Sequence, residues 1–417
     1  MSKLTKYKFS DLYNMASGIS STKEQAGHGS PFLSFSVVFN NYFVPDVLND
    51  LMDTSEKEKD TYSIKEGDIF LTRTSEVVDE LAMSCVAVKD YPEATFSGFL
   101  KRLRPTQDNI TYPKFMAFYL RSPMFRKTMT NNAVMTLRAS LNEAIFSYLD
   151  LLLPAYSEQR KAGDLLYLLN QKIALNNRIN AELESMAKTL YDYWFVQFDF
   201  PDANGKPYKT SGGKMVYNAT LKREIPVGWD VLQLNNLFNN HSESISPKEI
   251  SKEDAYTPID SLPMKRMSFG DARLASEANS SLIKYMKGDI LIGAMRVYFH
   301  RVCIAPYDGI TRTTTLVLRP KKINYLPYLY QVCNEDRVIN LATKISTGTQ
   351  QPYVNWDNSL ENLSTSYPKD EMIIQKYCSV IQNVVEEVIV REKENVRLRK
   401  LRDWLLPLLM NGQVTVK

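Results

Sequence analysis

The sequence predicts an α+β fold in which two similar mixed α/β domains are separated by a long antiparallel two-helix coiled coil, with a pseudo-two-fold internal repeat. Three observations support this prediction. The 417 residues are enough for two or three domains. The motifs of the first half recur in the same order in the second half, and each half ends in a long helical pattern. The composition, 44 % hydrophobic and 24 % charged, is ordinary for a globular protein and excludes a mostly disordered chain.

The internal repeat consists of matching segments about half a chain apart. The segment Ile64–Leu71 (IKEGDIFL) matches Tyr285–Ile292 (YMKGDILI), and both predict a turn at the glycine followed by a buried strand. Leu103-Arg104-Pro105 likewise recurs as Leu318-Arg319-Pro320. Self-similarity of this kind indicates that one structural unit occurs twice. The alternative is two unrelated domains that each end in an amphipathic helix.

Two long helices are predicted, from Ser157 to Phe195 and from Glu371 to Leu406. In both, residues recur at alternating spacings of three and four, the pattern of a coiled-coil seam. The first seam is Leu166, Leu169, Ile173, Asn176, Asn180, Leu183, Ala187 and Leu190, and the second, at a constant offset, is Ile381, Val384, Val388, Arg391, Asn395, Leu398, Arg402 and Leu405. Neither seam is apolar enough to be stable alone in water, so we expect the helices to pair with each other. The seam asparagines are expected to fix the register, or alternatively to contact a partner.

These patterns divide the chain into five segments. We predict a first domain over residues 1–153, a central helix over 154–198, a connector over 199–225, a second domain over 226–367, and a distal helix with a tail over 368–417. The connector contains Phe200–Lys214 (FPDANGKPYKTSGGK), whose proline, glycine and asparagine exclude regular structure. β-Branched and aromatic runs predict strands, and amphipathic patterns predict further helices. The strands are Phe32–Phe39, Ile69–Thr72, Ile290–Ile292 and Thr314–Leu318, and the helices are Tyr112–Thr130 and Pro327–Leu341.

The usual signatures of catalysis are absent from the sequence. It has no Asp-x-Lys or Glu-x-Lys of a metal-dependent nuclease, no Asn/Asp-Pro-Pro-aromatic loop of an amino-methyltransferase, and no GxxxxGK[ST], GxSxG or HExxH motif. The four cysteines and three histidines lack the spacing of metal ligands. We therefore expect a binding protein without a metal or cofactor. No apolar run approaches the roughly 18 residues of a membrane span, and no secretory signal is visible, so a cytoplasmic location without membrane association is expected.

Polar loops that combine arginine with side-chain amides are the candidates for DNA recognition. Arginine pairs with guanine and glutamine with adenine in the major groove, whereas lysine and hydroxyl groups commonly contact phosphates. The segment Lys344–Tyr353 (KISTGTQQPY) is the best example, and the net charge of +4 permits an anionic partner. The candidate DNA-contacting residues are Arg73, Arg102 and Arg138 in the first domain and Arg296, Arg301, Lys344, Thr349, Gln350 and Gln351 in the second.

The chain resembles the specificity (S) subunit of type I restriction-modification systems over essentially its whole length. The strongest marks are Leu152–Arg160 (LLPAYSEQR), Phe198–Pro201 (FDFP), Ile225–Trp229 (IPVGW) and the repeated Gly-Asp-Ile. The second proline-headed helix departs from the pattern, because Pro368-Lys-Asp-Glu-Met lacks the Glu-Gln that follows Pro154.

The resemblance implies two target recognition domains that each read one half of an asymmetric bipartite site in double-stranded DNA. The paired helices hold these domains apart, since roughly 35 to 40 helical residues span about 50 to 60 Å. It also implies a non-catalytic subunit that binds two methyltransferase subunits and is joined by restriction subunits. S-adenosylmethionine, ATP and Mg are then expected on those partners only. The alternatives are a two-lobed coiled-coil scaffold without DNA specificity and a fragment of a fused restriction and methylation enzyme.

Overall fold

The computed structural model describes residues 3–416 except 21, 76–79, 133, 136–138, 141, 142, 247, 248, 252 and 279–281. It divides into a first unit, Met1–Lys172 with Leu398–Lys417, and a second unit, Ile173–Arg397. Each unit mixes helices and strands and contains part of each long helix. In the described part of the chain, no helix is both long and apolar enough to cross a membrane.

The first unit is built around a four-stranded antiparallel sheet of order β2-β9-β5-β7. Smaller sheets pair β1 with β12, β3 with β4 and β8, and β11 with β10 and β6. The strands are β1 Thr5–Lys8, β2 Tyr13–Ser17, β3 Ala26–Leu33, β4 Leu51–Met52, β5 Ile69–Thr72, β6 Thr74–Ser75, β7 Ser84–Val86, β8 Thr95–Phe96, β9 Leu100–Pro105, β10 Val134–Met135, β11 Ala139–Ser140 and β12 Asp150–Leu153. The helices are α1 Phe9–Leu12, α2 Phe35–Asn40, α3 Glu56–Thr61, α4 Pro113–Tyr119, α5 Pro123–Asn132, α6 Glu143–Tyr148 and the beginning of α7 Tyr156–Tyr191, which continues as a π-helical turn, Asp192–Val196.

The second unit contains a four-stranded antiparallel sheet of order β16-β24-β21-β22, a five-stranded sheet of order β17-β20-β23-β18-β19, and the pairs β13–β14 and β15–β25. The strands are β13 Met215–Asn218, β14 Arg223–Pro226, β15 Trp229–Gln233, β16 Phe238–Asn240, β17 Ser244–Ile245, β18 Ala255–Tyr256, β19 Arg273–Leu274, β20 Leu282–Tyr285, β21 Ile290–Gly293, β22 Val302–Ile304, β23 Gly309–Arg312, β24 Thr315–Pro320 and β25 Ser364–Pro368. The helices are α8 Leu234–Leu237, α9 Leu326–Asn334, α10 Asp336–Ile345 and α11 Met372–Met410.

The two units share one strand order. The sheet β16-β24-β21-β22 of the second unit repeats β2-β9-β5-β7 of the first, and the pair β15–β25 repeats β1–β12. In both units two consecutive helices follow the sheet, α4 and α5 in the first and α9 and α10 in the second. This correspondence agrees with the internal repeat that the sequence predicts.

The repeated Gly-Asp and Leu-Arg-Pro motifs form one feature in each unit. Asp68 is buried and accepts hydrogen bonds from Arg104, at 2.7 Å from Nε and 2.6 Å from Nη2. Asp289 is also buried and accepts from Arg319 at 2.8 Å from both nitrogens. The preceding glycines have φ of +88° and +91°, a backbone conformation that favours glycine. The duplicated motifs therefore hold a tight turn to the neighbouring strand through a two-point ion pair.

One strand prediction is wrong in its second half. The sequence predicts a strand over Phe32–Phe39, but β3 ends at Leu33 and α2 begins at Phe35. The rings of Phe35 and Phe39 stack with centroids 6.0 Å apart, a contact between residues four apart on one helical face. Packing of these side chains overrides the strand propensity of the run.

The predicted long helices are present as α7 and α11, and in the second unit they pair in antiparallel directions. Asn176 Nδ2 donates to Asn395 Oδ1 at 3.0 Å, and the hydroxyl of Tyr377 donates to the carbonyl oxygen of Ala187 at 2.9 Å. The sequence number therefore rises along one helix as it falls along the other. Asn180 is also buried in this seam. In the first unit, Leu166 of α7 and the last turns of α11 belong to one hydrophobic core.

Candidate nucleic-acid interface

The polar segment after α10 in the second unit forms a tight hairpin. The backbone N–H of Thr347 donates to the carbonyl oxygen of Tyr353 at 2.9 Å, and the reverse bond is 2.8 Å. Gly348 allows this turn, because its φ is +96°. The tip consists of exposed residues: Thr349, Gln350 and Gln351. The Tyr353 hydroxyl donates to the carbonyl oxygen of Thr313 at 2.9 Å, which fixes the base of the hairpin.

A second segment, directly after strand β21, joins this hairpin. The backbone N–H of Arg296 donates to the carbonyl oxygen of Pro352 at 2.7 Å, and that of Val354 donates to the carbonyl oxygen of Ala294 at 3.1 Å. The Arg296 side chain is exposed, and its Nη2 lies 3.4 Å from the carbonyl oxygen of Gln350. The structure thus brings together residues more than fifty positions apart in sequence.

We call this exposed surface the amide patch. Lys344 is exposed in the last turn of α10, just before the hairpin. With arginine, two glutamines, a threonine and a lysine, the surface carries hydrogen-bonding groups suited to base edges and to phosphates. The amide patch consists of Arg296, Lys344, Thr349, Gln350 and Gln351.

The corresponding two segments also meet in the first unit. Strand β6, which directly follows Arg73, pairs with β11 so that Thr74 lies opposite Ser140. The Arg73 side chain is exposed, and its backbone N–H donates to the carbonyl oxygen of Phe99 at 2.9 Å. Arg138, the other arginine predicted here, lies outside the described residues. The segment that follows the Gly-Asp-Ile strand therefore meets the segment after the helix pair in both units.

Two of the predicted DNA-contacting arginines, the buried Arg102 and the half-buried Arg301, donate hydrogen bonds to backbone carbonyl oxygens of their own units. Arg102 is 8 % exposed, and its Nη1 donates to the carbonyl oxygen of Ser63 at 2.7 Å. Burial lowers the pKa of Arg102. Nη1 of Arg301 donates to the carbonyl oxygens of Ile259, at 3.2 Å, and Leu262. These bonds to backbone carbonyls favour a structural role for both side chains in their own units.

Sequence reasoning missed the aromatic turn beside the amide patch. Residues Val297–Phe299 form a single 3₁₀ turn, and the residues on either side, Arg296 and His300, have φ of +52° and +54°. Tyr298 is 50 % exposed and Phe299 39 % exposed. The signal in the sequence is the pair of adjacent aromatic residues, Tyr298 and Phe299, that begins two positions after Arg296.

The structure describes no cluster of three or more histidine, cysteine, aspartate or glutamate residues that could hold a metal ion, within the residues it covers. The cysteines are buried, free thiols: Cys85, Cys303, Cys333 and Cys378. Burial raises the pKa of Cys85 to about 12 and that of Cys378 to about 11, so both thiols are protonated at neutral pH.

The family model described as "Type I restriction modification DNA specificity domain" matches residues 1–185. The type I restriction enzyme MjaIX specificity subunit of Methanocaldococcus jannaschii is 27 % identical over 278 residues, which is 63 % of this chain and 60 % of that protein. The HindI specificity subunit of Haemophilus influenzae is 24 % identical over 450 aligned positions, covering 92 % of this chain and 94 % of that protein.

A solved structure has the same fold. The crystal structure of the type I restriction-modification S subunit from M. genitalium superimposes with a TM-score of 0.59 at 14 % identity. The superposition covers 98 % of this chain and 96 % of that one.

Proposed function

The chain belongs to the family of type I restriction-modification specificity subunits, and from this premise we propose that each of its two units reads one half of an asymmetric bipartite DNA site. DNA sequence specificity is the function that family membership assigns to the chain. The division of labour between the units, the residues that read the bases and the partner subunits are our proposals.

The observation that carries the proposal is that the segment after the Gly-Asp-Ile strand meets the segment after the helix pair in each unit. In the second unit the surface where they meet is the amide patch, where Arg296 lies beside Gln350. In the first unit Arg73 directly precedes the strand that pairs with Ala139–Ser140. Arginine and glutamine form two-point hydrogen bonds with guanine and adenine, respectively. Two such surfaces on one chain suit a site with two separate half-sites.

The long helices are proposed to set the distance between the half-sites. Their seams are continuous over many turns, and their buried asparagines favour one register over others. A helix pair of fixed register acts as a spacer, so the bases between the two half-sites are not read. In this proposal α7 and α11 form the antiparallel coiled coil that separates two target recognition domains.

One face of α7 is proposed to bind a methyltransferase subunit. Within the second unit Leu175, Met186 and Tyr193 are exposed apolar residues on this helix and its π-helical end. At 3.6 residues per turn their spacing places them along one line of the helix. In this proposal the chain is non-catalytic: two methyltransferase subunits and the restriction subunits carry S-adenosylmethionine, ATP and Mg.

The test is single-molecule sequencing of methylated adenines in cells that express the chain with its neighbouring methyltransferase. Cells with the methyltransferase alone are the control. We expect a new bipartite motif with an unread spacer only when the chain is present. If no motif appears although the methyltransferase is active with another specificity subunit, the proposal is wrong and a scaffold without DNA specificity replaces it.

A further inference from the structure

The aromatic turn beside the amide patch leaves two rings partly exposed to solvent, although the Phe299 ring also contacts the Arg301 guanidinium group, 5.8 Å from the ring centroid. Tyr298 and Phe299 are adjacent, exposed and in mutual contact, with ring centroids 5.0 Å apart. Exposed single apolar residues are common, but a contiguous aromatic pair next to polar recognition groups is typical of an interaction site.

The turn is held rigidly in this position. His300, at its end, is buried, and its Nε2 lies 2.8 Å from Oδ1 of Asn334, at the end of α9. Arg296 and His300 both adopt the left-handed conformation, which is uncommon for residues other than glycine and costs energy. The turn also contacts α10, the helix that leads into the hairpin of the amide patch. The fold therefore keeps the turn that carries the two rings directly after Arg296, whose side chain approaches Gln350, in a costly backbone conformation.

We propose that Tyr298 and Phe299 contact the 5-methyl groups of thymines in the major groove, next to the bases that Arg296 and Gln350 read. This inference rests on the proposed function. A glutamine that bonds adenine faces a base pair whose thymine displays its methyl group in the same groove. An aromatic edge is an apolar surface suited to that methyl group. The two aromatic rings thus recognise the shape and the methyl group of thymine, in addition to the hydrogen bonds that the amide patch makes.

The test uses the assembled complex of the chain with its methyltransferase, and duplexes carrying the motif found by methylation sequencing. In one duplex the thymines of one half-site are replaced by deoxyuridine, which lacks only the methyl group, and in another duplex those of the other half-site are replaced. Binding is measured by fluorescence anisotropy for the wild type, Tyr298→Ala and the control Tyr217→Ala. Tyr217 is an exposed tyrosine of the same unit, on strand β13.

We expect wild type to bind one of the deoxyuridine duplexes about fourfold more weakly, the effect of one buried methyl group. Tyr298→Ala binds the thymine duplex more weakly and loses the sensitivity to deoxyuridine in that half-site, whereas Tyr217→Ala behaves as wild type. If Tyr298→Ala lowers the affinity for the thymine and deoxyuridine duplexes by the same factor, the inference is wrong, because Tyr298 then contacts something other than the methyl group.

Indifference of the wild type to deoxyuridine in both half-sites also overturns it. That comparison needs no variant, so misfolding cannot explain the result. If methylation sequencing finds no motif at all, the proposed function has failed, which is a different outcome from a motif whose thymine methyl groups do not matter.

Discussion

The described arginine side chains that the sequence predicts to contact DNA occur in two different environments. Arg102 and Arg301 donate hydrogen bonds to backbone carbonyl oxygens inside their units. Arg73 and Arg296 instead project from the segments that follow strands β5 and β21, and both are exposed. Proteins place arginines of the first kind to satisfy buried carbonyls and of the second kind to bind anions or base edges.

The covered arginine and the exposed arginine predict different effects of alanine substitution, one on the free energy of unfolding and the other on DNA binding. Arg102→Ala removes the hydrogen bonds that Nη1 donates to the carbonyl oxygens of Ser63 and Thr61, although Ser63 keeps its bond from Arg104, and is expected to lower the free energy of unfolding by about 1 to 3 kcal/mol. Arg296→Ala is expected to change it by less than about 0.5 kcal/mol, since the side chain is exposed, and to weaken DNA binding about tenfold. Urea denaturation and anisotropy measure the two quantities. A stable Arg102→Ala protein with impaired DNA binding contradicts the structural role of Arg102.

The thiols provide a prediction about reactivity. Burial raises the pKa of Cys85 to about 12 and that of Cys378 to about 11, and it raises the pKa of Cys303 and Cys333 as well. Because the thiolate is the reactive form, the native protein is expected to react only slowly with Ellman's reagent at pH 8. All four thiols should react at once in urea. Rapid reaction of a thiol in the native protein contradicts this picture.

The sequence identified candidate DNA-contacting arginines but could not predict which of their side chains the fold covers. Strand β9 has buried residues on both faces, since Arg102 and Leu103 are both covered. Alternation of polar and apolar residues therefore does not reveal the direction of the Arg102 side chain. The carbonyl oxygens that accept from Arg102 belong to Thr61 and Ser63, which are 41 and 39 positions away in sequence. Only the tertiary fold establishes that contact.

At the scale of elements, the helix pair of the second unit contains a polar layer. Asn176 donates to Asn395 at 3.0 Å and to Glu394 at 2.7 Å, and Asn395 donates in turn to Asn177 at 2.9 Å. Asn180 donates to Glu392 at 3.0 Å. These amide nitrogens have specific acceptors across the helix pair, whereas Oδ1 of Asn176 and Asn180 is buried without a partner among the described residues, so the bonds favour this register over others that would lose them.

This layer predicts a specific cost of substitution in α11. Asn395→Ala removes the partner of Asn176 and Asn177 and is expected to lower the free energy of unfolding by about 1 to 3 kcal/mol. Asn383→Ala is the matched control, because Asn383 is an exposed residue of the same helix in the same unit. Equal urea midpoints for the two variants contradict a stabilising role of the layer.

The spacing of three and four residues was sufficient to predict the seam, including its asparagines. It could not predict that a loop of the second unit joins the seam. Arg266 lies 3.2 Å from a carboxylate oxygen of Glu184 on α7 and of Glu392 on α11. Burial raises the pKa of Glu184, and the Arg266 charge opposes that shift. Arg266 precedes strand β20 in the chain, and no helical periodicity links it to either helix.

At the scale of the whole molecule, the repeat of motifs correctly predicted that the two halves share a fold. It could not predict strand order, because each strand run is compatible with several neighbours. The units also differ where the motifs do not repeat: beside the shared sheet, the second has a five-stranded sheet, β17-β20-β23-β18-β19, and the first has two three-stranded sheets, β4-β3-β8 and β10-β11-β6. In the proposed function, sequence differences outside the repeated motifs let each unit recognise different bases while the shared sheet is preserved.

We propose that one chain reads two half-sites independently, one with each unit. The most direct test is methylation sequencing with the double variant Gln350→Ala, Gln351→Ala, whose substitutions lie in the exposed amide patch of the second unit. We expect the base preference to relax in one half-site only, with the other half-site and the spacer length unchanged, so that the untouched half-site is the internal control. An unchanged preference in both half-sites, or a simultaneous loss in both, would contradict the account.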